Sequence, residues 1–261
     1  MIISLLPAQF QLNLTFKWFN RQMRWIYISP HLDDAILSCG GLIWEQTRSG
    51  LPVEIWTVTS GYPPPDTLSI LAHECHAEWG TETAEQTVST RRSEDRTASK
   101  VLGAIAYYFD ILDCIYRRSS QGDWLYPDVF VPPHSAEAAL PDEIAALLRP
   151  RLKPDDIVVS PLAIGRHVDH VLVREAVERL GRPLLYYADI PYTLNHPEIL
   201  EQATDGLSAT FYSISNEGLR AWQDGITAYA SQISMLFITK ARMQTPIRSY
   251  WQKNNGIYLW Q

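Results

Sequence analysis

The chain has 261 residues, and its 22 Lys+Arg against 29 Asp+Glu leave a formal net charge of −7. That length suits one large domain, and a hydrophobic content of 46% is ample for a buried core. The acidic balance argues against a nucleic-acid-binding protein, which would need clustered Lys and Arg, and the apolar content argues against a disordered chain.

Residues 1–20 are apolar but are broken by Pro7, Gln9, Gln11 and Asn13. They contain no basic start and no run approaching the roughly 20 apolar residues of a membrane span. Residues 1–23 therefore read as an N-terminal extension, and residues 24–261 as one domain. Expected strands follow at Trp25–Ser29, Val53–Thr59, Tyr107–Leu112, Ile157–Ser160, Leu184–Ala188 and Thr210–Ile214. Several are apolar throughout, as parallel strands covered on both faces should be. Between them lie expected helices at Asp34–Arg48, Arg91–Leu102, Pro141–Leu148 and His167–Leu180. Gly50, Gly103 and Gly181 stand where left-handed cap residues are wanted. Ser215–Phe237 reads as one long amphipathic helix. This alternation predicts an α/β protein, a three-layer α/β/α arrangement around a mostly parallel sheet. Residues 60–90 and 117–135 interrupt the rhythm and read as long irregular loops over the carboxyl ends of the strands, where ligands bind in such sheets. Cys39, Cys75 and Cys114 are widely spaced, without a C-x-x-C pair, which points to reduced thiols in a cytoplasmic protein.

Two motifs carry chemistry. Ser29-Pro30-His31-Leu32-Asp33-Asp34 spans the first strand-to-helix turn, and His31 and Asp34, three apart, share a helical face suited to one ion. Asp33 points elsewhere, a carboxylate beside the ion and not on it. A helix cap explains one of these aspartates, but not both together with the histidine. Gly165-Arg166-His167-Val168-Asp169-His170 opens a later helix, with His167 and His170 again three apart. Two histidines and a carboxylate suit zinc with an open position for water.

These residues resemble the LmbE-like or PIG-L family of zinc-dependent N-deacetylases of N-acetylglucosaminyl compounds. The match rests on P-H-L-D-D at 30–34, R-R-S-E-D-R-T-A-S-K-V-L-G at 91–103 and H-V-D-H at 167–170, in order along nearly the whole domain. The resemblance implies a Rossmann-like single domain with long active-site loops. It implies His31, Asp34 and His170 as metal ligands and Asp33 as general base. His167 would stabilise the oxyanion and protonate the leaving amine, with Asp169 orienting it. Arg91 and Asp113 match the sugar-contacting positions; the alternatives are an ion pair for Arg91 and a loop cap for Asp113. Ser93 departs from the family's frequent R-R-E-E. Zinc is the implied cofactor, with Fe2+, Mn2+ or Co2+ as alternatives. The implied partner is a small N-acetylated sugar or glycoconjugate, with no nucleic acid and no membrane span, and with homo-oligomers compatible.

Other readings compete. An amidase acting on a different acyl amide would use the same metal machinery. His31-Leu32-Asp33 with His170 also spells the facial triad of non-haem iron oxygenases, which sit on jelly rolls. A nicotinamide-binding protein needs a glycine fingerprint directly after the first strand, whereas Ser38-Cys39-Gly40-Gly41 falls within a helix, where the glycines would let it approach the sheet. A non-catalytic sugar-binding module would not need Asp33 and His167 together. Tyr62, Trp79, Trp124 and Tyr126 are candidates to stack on a sugar, His73 and His76 read as lid or surface residues, and Asp189 or Tyr192 as pocket lining.

Overall fold

A computed structural model describes residues 23–261 except residue 66. The expected N-terminal extension thus lies, apart from Met23, outside the described residues.

Among the described residues seven strands form one sheet: β1 (Trp25–Ser29), β2 (Val53–Thr57), β3 (Ile105–Tyr108), β4 (Ile157–Pro161), β5 (Leu184–Tyr187), β6 (Ala209–Ser213) and β7 (Gly256–Trp260). Their order is β3-β2-β1-β4-β5-β7-β6. The first five are mutually parallel, and β7 pairs antiparallel with both β5 and β6. Side chains alternate across β1 in the way a two-faced strand requires. Trp25 and Tyr27 enter one core with α1 (Asp34–Arg48), α3 (Ala84–Leu102), α8 (Asn216–Thr227) and α10 (Lys240–Gln252). Ile26 and Ile28 enter the other, with α4 (Leu140–Leu148) and α5 (Val168–Glu178). The three-layer α/β/α architecture is therefore as expected, and the jelly roll required by the oxygenase reading is not what forms.

Several boundaries differ. Residues 60–90 are not one loop: they contain α2 (Ile70–Trp79) and the first turns of α3. Ser69 and Thr83 cap these helices by accepting from the amides of Ala72 and Gln86, a signal outweighed in the sequence by three consecutive prolines. The stretch 215–237 is two helices, α8 and α9 (Ala230–Phe237), because Tyr229 turns inward and its hydroxyl donates to Asp95 Oδ1 at 2.6 Å. Helix α10 and β7, with the short α6 (Tyr192–Asn195) and α7 (Pro197–Ala203), had no expected counterpart. Gly50, Gly103 and Gly181 do adopt positive φ, at 82°, 73° and 67°. Gly40 and Gly41 face helix α8 and not the sheet: a Cβ on Gly40 would lie 2.5 Å from Cδ1 of Trp222.

Candidate active site

The turn after β1 is shaped by its own side chains. Ser29 Oγ accepts from the Ala35 amide at 3.0 Å and donates to the His31 carbonyl at 2.6 Å. Ser29 thereby does the capping, and Asp33, at the N-cap position of α1, makes no side-chain cap bond. Both aspartates are left for other work. Asp34 Oδ2 accepts the His31 amide at 2.7 Å, which folds the two side chains toward one point.

The second motif reaches the same point from β4 and α5. Arg166 takes a φ of 54°, and Gly165 sits so close to Tyr192 that a Cβ there would lie 2.3 Å from the ring. This sharp turn puts His167 at the N-cap of α5 and His170 one turn in. His31, His167 and His170 then offer ring nitrogens within 4.8 Å of one another.

Asp34 Oδ2 lies 3.4 Å from His31 Nδ1 and 3.3 Å from His170 Nε2. Those two spacings match the ligand separations at a tetrahedral cation, since metal–nitrogen bonds of about 2.0–2.1 Å place ligands about 3.3–3.4 Å apart. The far nitrogens fit as well. His31 Nε2 is 3.0 Å from Asp169 Oδ2, and His170 Nδ1 is 2.9 Å from Asp189 Oδ1. Each imidazole can give its N–H to a carboxylate and turn a lone pair to the centre, the usual support for a metal-binding histidine. Electrostatics agree. Burial opposes charge on His31 and His170, but hydrogen bonds and neighbouring carboxylates outweigh it; His31 rises well above its ordinary value and His170 to about 9. Asp34 is held below the usual carboxylate range despite burial, by His170 and His31. Protons here stand where the positive charge of a cation would sit.

Asp33 is different. Burial, and then the charge of Asp34, push its carboxyl up to about 6, against the pull of Arg91. His167 is driven well below the ordinary histidine value by burial and by the charges of His31 and His170. Its Nδ1 accepts the Asp169 amide at 3.2 Å, so the neutral ring carries its proton on Nε2. His167 is favoured as a neutral donor. One expectation, that Asp169 orients it through its carboxylate, is corrected. The Asp169 carboxylate orients His31, not His167, because Oδ2 is committed to His31 and the Cys114 amide, and Oδ1 to Arg117 at 2.6 Å. Arg117, itself ion-paired with Glu137 at 2.7 Å, escaped the sequence reading because its loop offers no motif.

These groups open onto a cavity of about 310 Å³ that also reaches Arg91, Asp113, Trp79 and Tyr192. Arg91 lies over the Trp79 ring at 4.7 Å, 3.6 Å from Asp33 Oδ2 and 3.9 Å from Asp113 Oδ2. Asp113 also caps the turn Cys114–Tyr116 through Oδ1. For both residues the alternative contacts are real, and the cavity position holds too. Of the four aromatic candidates only Trp79 lines this cavity. His76 is buried against the Tyr116 hydroxyl at 2.6 Å and His73 is exposed, so neither joins the site. Asp189 supports His170 from behind, and Tyr192 lines the wall.

Comparison with known proteins agrees with this geometry. The PIG-L family (GlcNAc-PI de-N-acetylase) matches residues 26–180. The 2'-N-acetylparomamine deacetylase of Niallia circulans is 31% identical over 201 residues, covering 67% of this chain and 70% of that protein. Its namesake from Streptomyces fradiae is 30% identical over 182 residues, covering 66% of this chain and 58% of that protein. The zinc-inhibited form of teicoplanin deacetylase superposes with a TM-score of 0.80 at 27% identity, covering 91% of this chain and 97% of the other. These likenesses establish that the chain belongs to the PIG-L family and is an N-deacetylase.

Proposed function

We propose that this enzyme removes the N-acetyl group from an amino sugar within a small glycoside or aminoglycoside, using a divalent cation, zinc foremost, held by His31, Asp34 and His170. The observation that carries the reading is Asp34 Oδ2 midway between His31 Nδ1 and His170 Nε2, at 3.4 and 3.3 Å, with Asp33 beside it and uncommitted to a cap. The paromamine and teicoplanin relatives support an amino-sugar substrate. Cys39, Cys75 and Cys114 are free thiols, which fits the reducing cytoplasm, and no helix among the described residues is long and apolar enough to cross a membrane.

A bound dication would lower the pKa of its water to roughly 7 and polarise the acyl carbonyl. Asp33 accepts the proton of the water that adds to the acetyl carbon. His167 donates its Nε2–H to the developing oxyanion. Asp33, now protonated at a site where its pKa is about 6, returns the proton to the departing nitrogen as the C–N bond breaks. Acetate and a free amine leave. Arg91 and Asp113 hold the sugar in place, and Trp79 supports Arg91 from below.

The test is acetate release from N-acetylated aminoglycosides, glucosaminyl glycosides and glycopeptides, by protein stripped of metal and reloaded with Zn2+, Fe2+, Mn2+ or Co2+. Because one relative is described as zinc-inhibited, zinc is also titrated to excess. Release should require the cation. Full turnover by stripped protein, or none from any substrate once loaded, sinks the reading; faster release of longer acyl groups would redirect it to another amidase.

A further inference from the structure

Gln232 on α9 is 1% exposed and lines the active-site cavity, yet the deacetylation scheme leaves it without a task. Its carboxamide is oriented from α3. Glu94 Oε1 accepts the Ser231 amide at 2.8 Å, and Glu94 Oε2 accepts the Ser231 hydroxyl at 2.6 Å. The Ser231 hydroxyl is the donor in that contact, so its single proton is already engaged. The Gln232 atom 2.9 Å from that oxygen must then be the donor, Nε2. Oε1 is left as an open acceptor: no donor among the described residues reaches it, and it is not sealed away as Arg91 Nε is.

We propose that Gln232 is a substrate-binding residue whose Oε1 accepts a hydrogen bond from one hydroxyl of the sugar. The enzyme thereby selects among N-acetylated amino sugars by the presence of that hydroxyl. A neutral carboxamide suits a neutral donor, whereas an ammonium is better met by the carboxylates of Asp33 and Asp113 elsewhere in the cavity. A site built to hydrogen-bond a hydroxyl rejects the analogue lacking it, because its own polar group is then left unpaired. Arg91 and Glu94 belong to one helix, so α3 sets the sugar-facing guanidinium and, through Ser231, the orientation of the carboxamide.

The inference rests on the amino-sugar reading above, and its test separates the two. Metal-loaded wild-type and Gln232→Leu proteins are titrated calorimetrically with a glucosaminyl glycoside and its monodeoxy analogues, while acetate release is followed from the N-acetylated parent. One monodeoxy sugar should bind the wild type about 5- to 20-fold more weakly. Gln232→Leu should lose a similar factor with the parent sugar and nothing further with that analogue. Losses that multiply for every analogue indicate a merely structural role and overturn the proposal. Ser231→Ala frees Nε2 but keeps the acceptor, and should show a smaller loss confined to the same hydroxyl; it decides the matter if Gln232→Leu does not fold. Sugar binding without acetate release overturns the deacetylation reading and leaves the hydroxyl contact standing. Acetate release with multiplicative losses does the reverse, and no sugar binding by the wild type overturns both.

Discussion

At the proposed metal site, His31 and His170 are held from their far sides. Asp169 and Asp189 take the distal ring nitrogens, and replacing such partners weakens metal binding by roughly 10- to 100-fold. Asp189→Asn should show that loss in a chelator competition; an unchanged affinity would remove Asp189 from this role. Both imidazoles have raised pKa values, His170 to about 9, so near neutral pH a cation bound as proposed would displace protons. Affinity should therefore weaken as pH falls below that value, and calorimetry in buffers of different ionisation enthalpy should record proton release on binding. Asp33 titrates in the opposite functional sense. In its proposed role as base it works only when ionised, so kcat/KM should rise with pH through a limb at or below about 6, the added cation lowering it further. Asp33→Asn should keep the metal and lose roughly 10²- to 10⁴-fold in kcat.

At the scale of elements, α1 and α8 cross at the glycine pair. Trp222 is fully buried there, and its indole N–H donates to the carbonyls of Ile36 at 2.8 Å and Leu37 at 3.1 Å, so the ring cannot retreat. Gly40→Ala should lower stability by up to about 2 kcal/mol, because overpacking of about 1–3 kcal/mol is offset by a gain of only about 1 kcal/mol in helix propensity. Chemical denaturation measures it, and a stabilised variant would show that Trp222 can move aside. The glycines were visible in the sequence, but their partner was not, since Trp222 lies 182 positions from Gly40. The break between α8 and α9 was hidden for a similar reason. Hydrophobic periodicity runs through Tyr229, and only the tertiary contacts of Tyr229 with Asp95 and of Ser231 with Glu94 interrupt it.

Across the whole molecule, chemistry and stability sit at opposite ends of the sheet. Beyond the start of β1, Arg24 clamps its neighbours: Nη1 donates to Glu54 on β2 at 2.8 and 2.9 Å, and Nη2 to Asp156, just before β4, at 2.6 Å. Arg24→Met would leave two largely buried carboxylates without their counter-ion and should cost about 2–4 kcal/mol. For a chain of this size that lowers Tm by about 5–10 °C. Because the site lies at the far ends of the strands, kcat should stay near the wild-type value below the transition. A loss of kcat in proportion to stability would contradict this separation.

Local pattern alone determined the α/β alternation, β1 and α1 to the residue, and the side chains of the proposed cation site. Burial period, caps and short motifs are nearest-neighbour physics and can be read along a single strand–turn–helix. Folding decided what depends on distant partners. It gave Asp169 to His31 and not to His167, brought Asp189 behind His170, placed Arg117 beneath the site, and folded α9 over the cavity with Gln232 aimed by Glu94. Each is a hydrogen bond or ion pair between segments far apart in the chain, whose formation follows from packing in three dimensions and leaves no periodic trace in the sequence.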